Sequence, residues 1–303
     1  MNPDISKQNS EARILITGAG GLIGSAFCRF LYEHGFPILA LYRSKPKEKL
    51  LWDYACINIE KDDLQNLLSD QKFFAIVHCA AVIPNDQYSY ENCYDINTVI
   101  DKKISGYAIA NKIKKFIFIS TTNIYGISEE VINEDTVLKI NNSYSQAKIN
   151  SEEQFFNMKK TEVIALRINA PYYYSQKTNT VLKIFINNIV KGEDISYNGT
   201  GARQQDFTHV MDIAAAVMCS LKTTKPGIYN IASGHPVSMK NLAELILSRV
   251  PDSKSKIFSS GLPDVQENHK ALFDITKAKK ELSWRPSISL SEGIDEWIKY
   301  LKQ

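Results

Sequence analysis

The chain has 303 residues, 44% of them hydrophobic and 23% charged, a composition that supports a substantial core and one or two domains. Its 36 basic and 33 acidic residues leave a net charge of +3, too small an excess to point to nucleic acid or an anionic membrane as partner. Five cysteines without a CxxC pair read as reduced, packed thiols; the N-terminus lacks an apolar signal segment and no apolar run could span a bilayer, so a soluble, cytoplasmic protein is expected.

Residues 1–11 read as a mobile tail. "RILITG" (13–18) is a first strand that ends in glycines, and "LIGSAFCRFLYEHG" has helical spacing. "PILALYR" is a second strand and "YACINI" a third, followed by a helix over "DDLQNLL". "FAIVHCAA" is a fourth strand, "YDINTVIDKKISGYAIANK" a helix and "KFIFIST" a fifth strand. A helix from about 144 to 160 leads into "EVIALRI", the sixth. Short apolar strands alternating with helices predict a parallel sheet covered on both faces. Beyond 171 the rhythm loosens. Helices are expected over "TVLKIFINNIVKG", "MDIAAAVMCSL", "SMKNLAELILSRV", "ITKAKKELSW" and "SLSEGIDEWIKYL", the last capped by Ser289 or Ser291, with a strand at "GIYNIAS". The expected architecture is an α/β, Rossmann-type doubly wound parallel sheet over 12–170 and a smaller α/β substrate lobe over 171–303, some of whose segments return to the sheet. A ligand site is expected between the two, beyond the carboxyl ends of the strands.

The first strand–helix junction, "TGAGGLIG", carries Gly18, Gly20, Gly21 and Gly24, with Leu22 and Ile23 opening the helix. Glycines there permit positive φ, close approach of a pyrophosphate and tight helix–strand packing, and the helix N-terminus adds free N–H groups. That predicts a dinucleotide site. The second strand ends in "LALYRSK", with no acidic residue to bind an NAD ribose; Arg43 is placed to receive a 2′-phosphate, which favours NADP, with NAD the alternative. No metal site is indicated.

Tyr144 and Lys148 lie four apart on one helical face, and the fifth strand ends in Thr121 at the edge where a nicotinamide belongs. A free phenol, with its pKa near 10, is a poor base at neutral pH. A neighbouring ammonium and an oxidised nicotinamide both favour phenolate. Tyr144 is therefore expected to exchange a proton with an alcohol or carbonyl, with Thr121 holding the same oxygen and Lys148 the nicotinamide ribose.

Together with "HCAA", Asn97 in "YDINTV", "STTNIYG", "YSQAK", "LRINAPYY", "GTGARQQDFTHVMDIAAA" and "LSWRPSISLSEGI", in that order, these residues make the chain resemble the extended short-chain dehydrogenase/reductases, the branch of nucleotide-sugar epimerases, dehydratases and reductases. The resemblance implies Thr121, Tyr144 and Lys148 as the catalytic three, Asn58 and Ile59 around adenine, Ala80 and Ala81 along the diphosphate and ribose, and a homodimer built through the helix of Tyr144 and the helix before the fifth strand. Asn97 is either a support for the cofactor site or a satisfied core residue. His209 and His78 read as structural, and the tyrosines of "PYYY" either line or cover the cleft.

Departures from the family pattern shape the expected reaction. Sugar 4,6-dehydratases of this branch carry acidic groups where this chain has Thr122 and Asn123, which leaves elimination without a proton carrier. The diphosphate-binding arginine of the sugar epimerases is replaced by Gln205, with Arg203 two residues earlier; a second arginine is missing from "SSGLPDVQEN", and Ala170 stands at a position usually held by Asn. The expected function is reduction of a 4-keto-6-deoxy sugar nucleotide. The alternatives are a nucleotide-sugar 4-epimerase, a reductase of another small carbonyl compound, and a non-enzymatic NADP-binding redox sensor.

Overall fold

Alternation along the first strand explains the layering of the molecule. In β1 (Arg13–Thr17), Ile14 and Ile16 are buried with Phe27, Val77 and Val217 on one face of a sheet, while Leu15 is buried with Ile76, Ile104 and Phe116 on the other. A strand covered on both faces needs no polar side, which is why "RILIT" is an unbroken apolar run. The computed structural model describes residues 13–303; the tail expected over 1–11 lies outside them.

The chain continues through α1 (Leu22–Glu33), β2 (Ile38–Tyr42), β3 (Asp53–Cys56), a short α2 (Leu64–Leu67), β4 (Phe73–His78), α3 (Tyr90–Ala110), β5 (Lys115–Thr121), α4 (Ser143–Phe156) and β6 (Glu162–Ile168). These six strands and β11 (Gly227–Ile231) form one seven-stranded sheet in the order β11-β6-β5-β4-β1-β2-β3, with every pairing parallel. The order reverses direction at β1. Loops after β1 and β4 therefore leave in opposite directions and open a crevice at their carboxyl ends.

A second lobe has its own core. Helices α5 (Val181–Lys191), α7 (Met239–Ser248) and α8 (Leu290–Leu301) enclose Tyr172, Leu182, Ile186, Leu242 and Trp297. Three two-stranded ribbons edge it: β7 (Pro171–Tyr172) with β10 (Thr208–His209), β8 (Ile195–Tyr197) with β13 (Ile257–Ser259), and β9 (Gln204–Gln205) with β12 (Val237–Ser238). Helix α6 (Val210–Lys222) leaves this lobe and packs against α1 on the large sheet.

Local chemistry moves several expected boundaries. Helix α3 begins at Tyr90, earlier than its apolar spacing indicates, because Ser89 and Asn92 form a capping box. The segment "ITKAKKELSW" forms only one wide π-type turn, Ala278–Leu282, ended by Ser283 at φ 54°. Trp284 is then buried, with its indole N–H donated to Asp212 O at 2.9 Å. Ser289, not Ser291, caps α8. All five cysteines are free thiols. Among the described residues no helix is long and apolar enough to cross a membrane.

Candidate active site

The glycine turn after β1 leaves no room for side chains. Gly18 has φ +70°, and a Cβ there would lie 2.7 Å from Ala80 N; a Cβ on Gly24 would stand 2.2 Å from Gly18 O. The two glycines thus hold the turn against the tip of β4, bringing Ala80 and Ala81 beside it. Gly20 and Gly21 are exposed at the start of α1, and no side chain caps this helix. Its first N–H groups, including those of Leu22 and Ile23, have no intrahelical acceptor. An uncapped helix N-terminus behind a tight glycine turn is a cradle for a diphosphate, and these residues fit a dinucleotide. Arg43 is exposed just past β2. The Asn58 side chain closes its own turn, accepting from Glu60 N at 3.2 Å, and Ile59 is buried beside it.

Two residues named as candidates for the cofactor or substrate site are satisfied inside the protein, Asn97 in the core role left open for it. Asn97 is buried on α3, and both ends of its amide are taken by the backbone of Val82, at 2.7 and 2.9 Å. It fixes the segment after Ala80 and Ala81 rather than reaching the cradle itself. Thr122 is also buried, and its hydroxyl donates to Asn169 Oδ1 at 2.8 Å, because the 3₁₀ turn over Thr122–Tyr125 directs it beneath β6. Asn123 is exposed.

The catalytic candidates converge from β5 and α4. A capping box of Asn142 and Ser145 starts α4, which sets Tyr144 in its first turn. One turn later Lys148 is buried, its ammonium donating to Ile119 O on β5 at 3.1 Å and lying 4.5 Å from the Phe118 ring centroid. That bond docks α4 against the strand ending in Thr121. The Thr121 hydroxyl accepts from Asn123 N at 3.2 Å and so caps the turn that follows. Tyr144 is half-buried.

In the protein alone, burial dominates the electrostatics of the pair. Burial pushes the Tyr144 phenol up to about 12, with Cys93 and Asp101 on α3 adding to the effect. Burial pulls the Lys148 ammonium down, opposed by Asp101, Cys79 and Glu152. Desolvation disfavours the charged form of each group.

Below the site lies a buried ion pair that sequence reading missed. Arg167 on β6 binds Glu152 through two hydrogen bonds, at 3.0 and 2.6 Å; Ser120 donates to the same carboxylate at 2.5 Å, and Arg167 also donates to Tyr125 Oη at 2.7 Å. The available signal was helical spacing. Glu152 follows Tyr144 and Lys148 at four-residue steps, so all three share one inward face.

On the substrate side, Arg203 is half-buried and its charge meets Asp264 at 2.9 Å, with a further bond to Gln266 at 3.2 Å. It is therefore not the free cation that a diphosphate anchor requires. Gln205 pairs in β9 with Val237, and Ala170 sits at φ +31° between β6 and β7. His209 is buried, caps α6 by accepting from Met211 N at 3.3 Å, and lies 3.1 Å from Glu296. Tyr172 is buried, whereas Tyr173 and Tyr174 are half-buried and joined by a 3.2 Å hydrogen bond.

Comparison with known proteins gives the chain a family and a fold. The model of the NAD dependent epimerase/dehydratase family matches residues 14–232. A dTDP-4-dehydro-6-deoxyglucose reductase of Escherichia coli is 27% identical, the alignment covering 95% of this chain and 97% of the relative. A dTDP-D-glucose 4,6-dehydratase of Bos taurus is 23% identical over 96% and 89% of the two chains. The crystal structure of a UDP-glucose 4-epimerase from Thermotoga maritima with UDP-glucose superposes with a TM-score of 0.85 at 24% identity, covering 96% of this chain and 98% of that one.

Proposed function

This chain belongs to the NAD dependent epimerase/dehydratase family, and on that footing we propose that it reduces the keto group of a nucleotide-activated sugar, a 4-keto-6-deoxy sugar nucleotide. The observation that carries this reading is geometric: Tyr144 stands in the first turn of a helix that Lys148 locks to the strand presenting Thr121. Reduction needs a group that can give a proton to the developing alcohol, and a phenol in that place can serve. A bound nicotinamide supplies the hydride. Tyr144 gives its proton to the sugar oxygen as negative charge develops there, and the Thr121 hydroxyl orients that oxygen. Lys148, fixed on Ile119 O, places a cation beside the phenol. The similarity to the Escherichia coli reductase supports the substrate class. With Thr122 buried and Asn123 neutral, elimination lacks the acid–base pair it requires.

Arg43 extends the proposal to NADPH as reductant, because an exposed guanidinium at that strand end matches a 2′-phosphate. Val99, Ile109 and Phe156, on the outer sides of α3 and α4, are 40%, 59% and 39% exposed, which supports a homodimer through those helices. A second reading, a 4-epimerase, is favoured by the likeness to the Thermotoga maritima enzyme. An epimerase recycles its cofactor, so the purified protein would retain dinucleotide and show no net NADPH consumption. The deciding assay follows NADPH absorbance with dTDP-4-keto-6-deoxyglucose. Tyr144→Phe should lower kcat by about 10²- to 10⁴-fold with little change in NADPH affinity. Parent-like turnover in that variant would remove Tyr144 from the chemistry.

A further inference from the structure

One buried polar chain crosses the molecule from the dinucleotide cradle to the catalytic helix. Thr17 on β1, His78 on β4, Asp101 on α3 and Ser151 on α4 are all buried. Thr17 Oγ1 accepts the backbone N–H groups of Cys79 at 3.2 Å and Ala80 at 3.1 Å, and it stands 2.7 Å from His78 Nδ1. His78 Nε2 lies 2.8 Å from Asp101 Oδ1, and Ser151 Oγ donates to Asp101 Oδ2.

The protons in this chain can be assigned by counting. A hydroxyl oxygen has two lone pairs and one hydrogen. Two backbone N–H groups occupy the lone pairs of Thr17, so its hydrogen goes to His78 Nδ1. The imidazole then carries its own hydrogen on Nε2, aimed at Asp101, and is neutral. Asp101 keeps its charge and accepts from both His78 and Ser151.

No cation in the chain balances that charge. Glu152, the other buried carboxylate near the site, is taken by Arg167. Lys148 is buried too, and among the described residues its hydrogen bond goes to a carbonyl. An unbalanced buried cation is costly unless an anion lies nearby. Asp101 is the anion that geometry brings to it: α3 packs against α4, and Ser151, which donates to Asp101, follows Lys148 by three residues on one helical face. The other ionisable groups facing Tyr144 and Lys148 are Cys79 at the tip of β4, Cys93 on α3 and Glu152 on α4, and burial pushes both thiols up, toward the neutral form.

We infer that Asp101 is a positioning residue with two effects: through His78 and Thr17 it sets the Cys79–Ala80 backbone against Gly18 at the dinucleotide cradle, and its charge, carried on the helix packed against that of Tyr144 and Lys148, disfavours phenolate at Tyr144. The inference rests on Tyr144 and Lys148 being the proton-transfer pair.

Asp101→Asn tests the charge with little disturbance of shape. The Asn oxygen can still accept from His78, and its amide can donate to Ser151, whose hydroxyl hydrogen then serves Ala147 O, already at 2.6 Å. Phenolate absorbance, titrated with NADP⁺ bound and read as the difference from a matched Tyr144→Phe protein, isolates Tyr144. Loss of the nearby negative charge should bring its midpoint down by about one pH unit. Thr17→Val should weaken NADPH binding about tenfold while leaving that midpoint in place, the loss of one or two buried hydrogen bonds. Coincident midpoints in the parent and Asp101→Asn would overturn the inference. If Asp101→Asn does not fold, nitrogen NMR of the parent decides instead: His78 should be neutral with its proton on Nε2, and an imidazolium there at neutral pH would pair Asp101 internally and defeat the inference. The turnover of Tyr144→Phe alone judges the underlying assignment of the proton donor.

Discussion

The two sides of the cleft hold their cations by opposite means. On the sheet side, Lys148 and Arg167 are buried, and the carboxylates that answer them come from helices packed on the same sheet. On the lobe side, Arg203 meets Asp264 from a loop nearer the surface, the two side chains 25% and 9% exposed. A buried charge must be matched in place or the fold pays heavily, whereas a surface pair contributes little and can be exchanged. The sheet side is thus held by matched buried charges, and the lobe side depends on them less.

Breaking the sheet side should have the largest effect. Glu152→Gln leaves Arg167 buried without its counter-ion and offers one acceptor oxygen, in place of two, to Ser120 and the two Arg167 donors. We expect about 3–5 kcal/mol of lost stability, seen as a melting point lower by roughly 10 °C. A loss below about 1 kcal/mol, in the range of a surface pair, would erase the contrast between the two sides. Arg43→Ala comes next. It should weaken NADPH binding by about tenfold to a hundredfold, the worth of a charged hydrogen bond, and leave NADH binding unchanged in a nicotinamide fluorescence titration. Equal losses for both cofactors would show that Arg43 does not read the 2′-phosphate.

A smaller effect concerns pH. Burial holds both His209 and His269 below their ordinary range. Their folded forms bind protons less readily than the unfolded chain, so the stability linked to them is complete above the unfolded histidine pKa of about 6.5 and declines as pH falls through it. The melting point should fall by a few degrees on mild acidification, and His269→Gln should flatten that slope. A melting point that rises on acidification would contradict the sign. The smallest effect sharpens the lobe side. Asp264→Asn releases Arg203, and a thermal-shift titration should find dTDP or UDP binding improved about two- to fivefold, the scale of a surface ion pair. No change would mean that Arg203 lies off the path of the diphosphate.

Legibility in the sequence followed contact range. The glycine turn, the Tyr144–Lys148 spacing and the six leading strands all rest on neighbours within one element, and they are where the chain pattern puts them. Thr122 and Asn97 share that pattern, yet their side chains are turned onto Asn169 and Val82, because the 3₁₀ turn after β5 and the loop after β4 direct them inward. His78, separated from Asp101 by 23 residues, reads alone as a packed strand-end histidine. Nothing local marks it as one link of a proton-ordered chain.

Taken alone, the amino-acid order determined the doubly wound architecture, the dinucleotide turn and the Tyr144–Lys148 spacing, since each follows from periodicity or from glycine where no Cβ fits. Only the tertiary structure decided how deeply that pair is packed and which groups partner the buried charges. Those depend on desolvation and on carboxylates brought in by other elements, and a one-dimensional pattern carries neither.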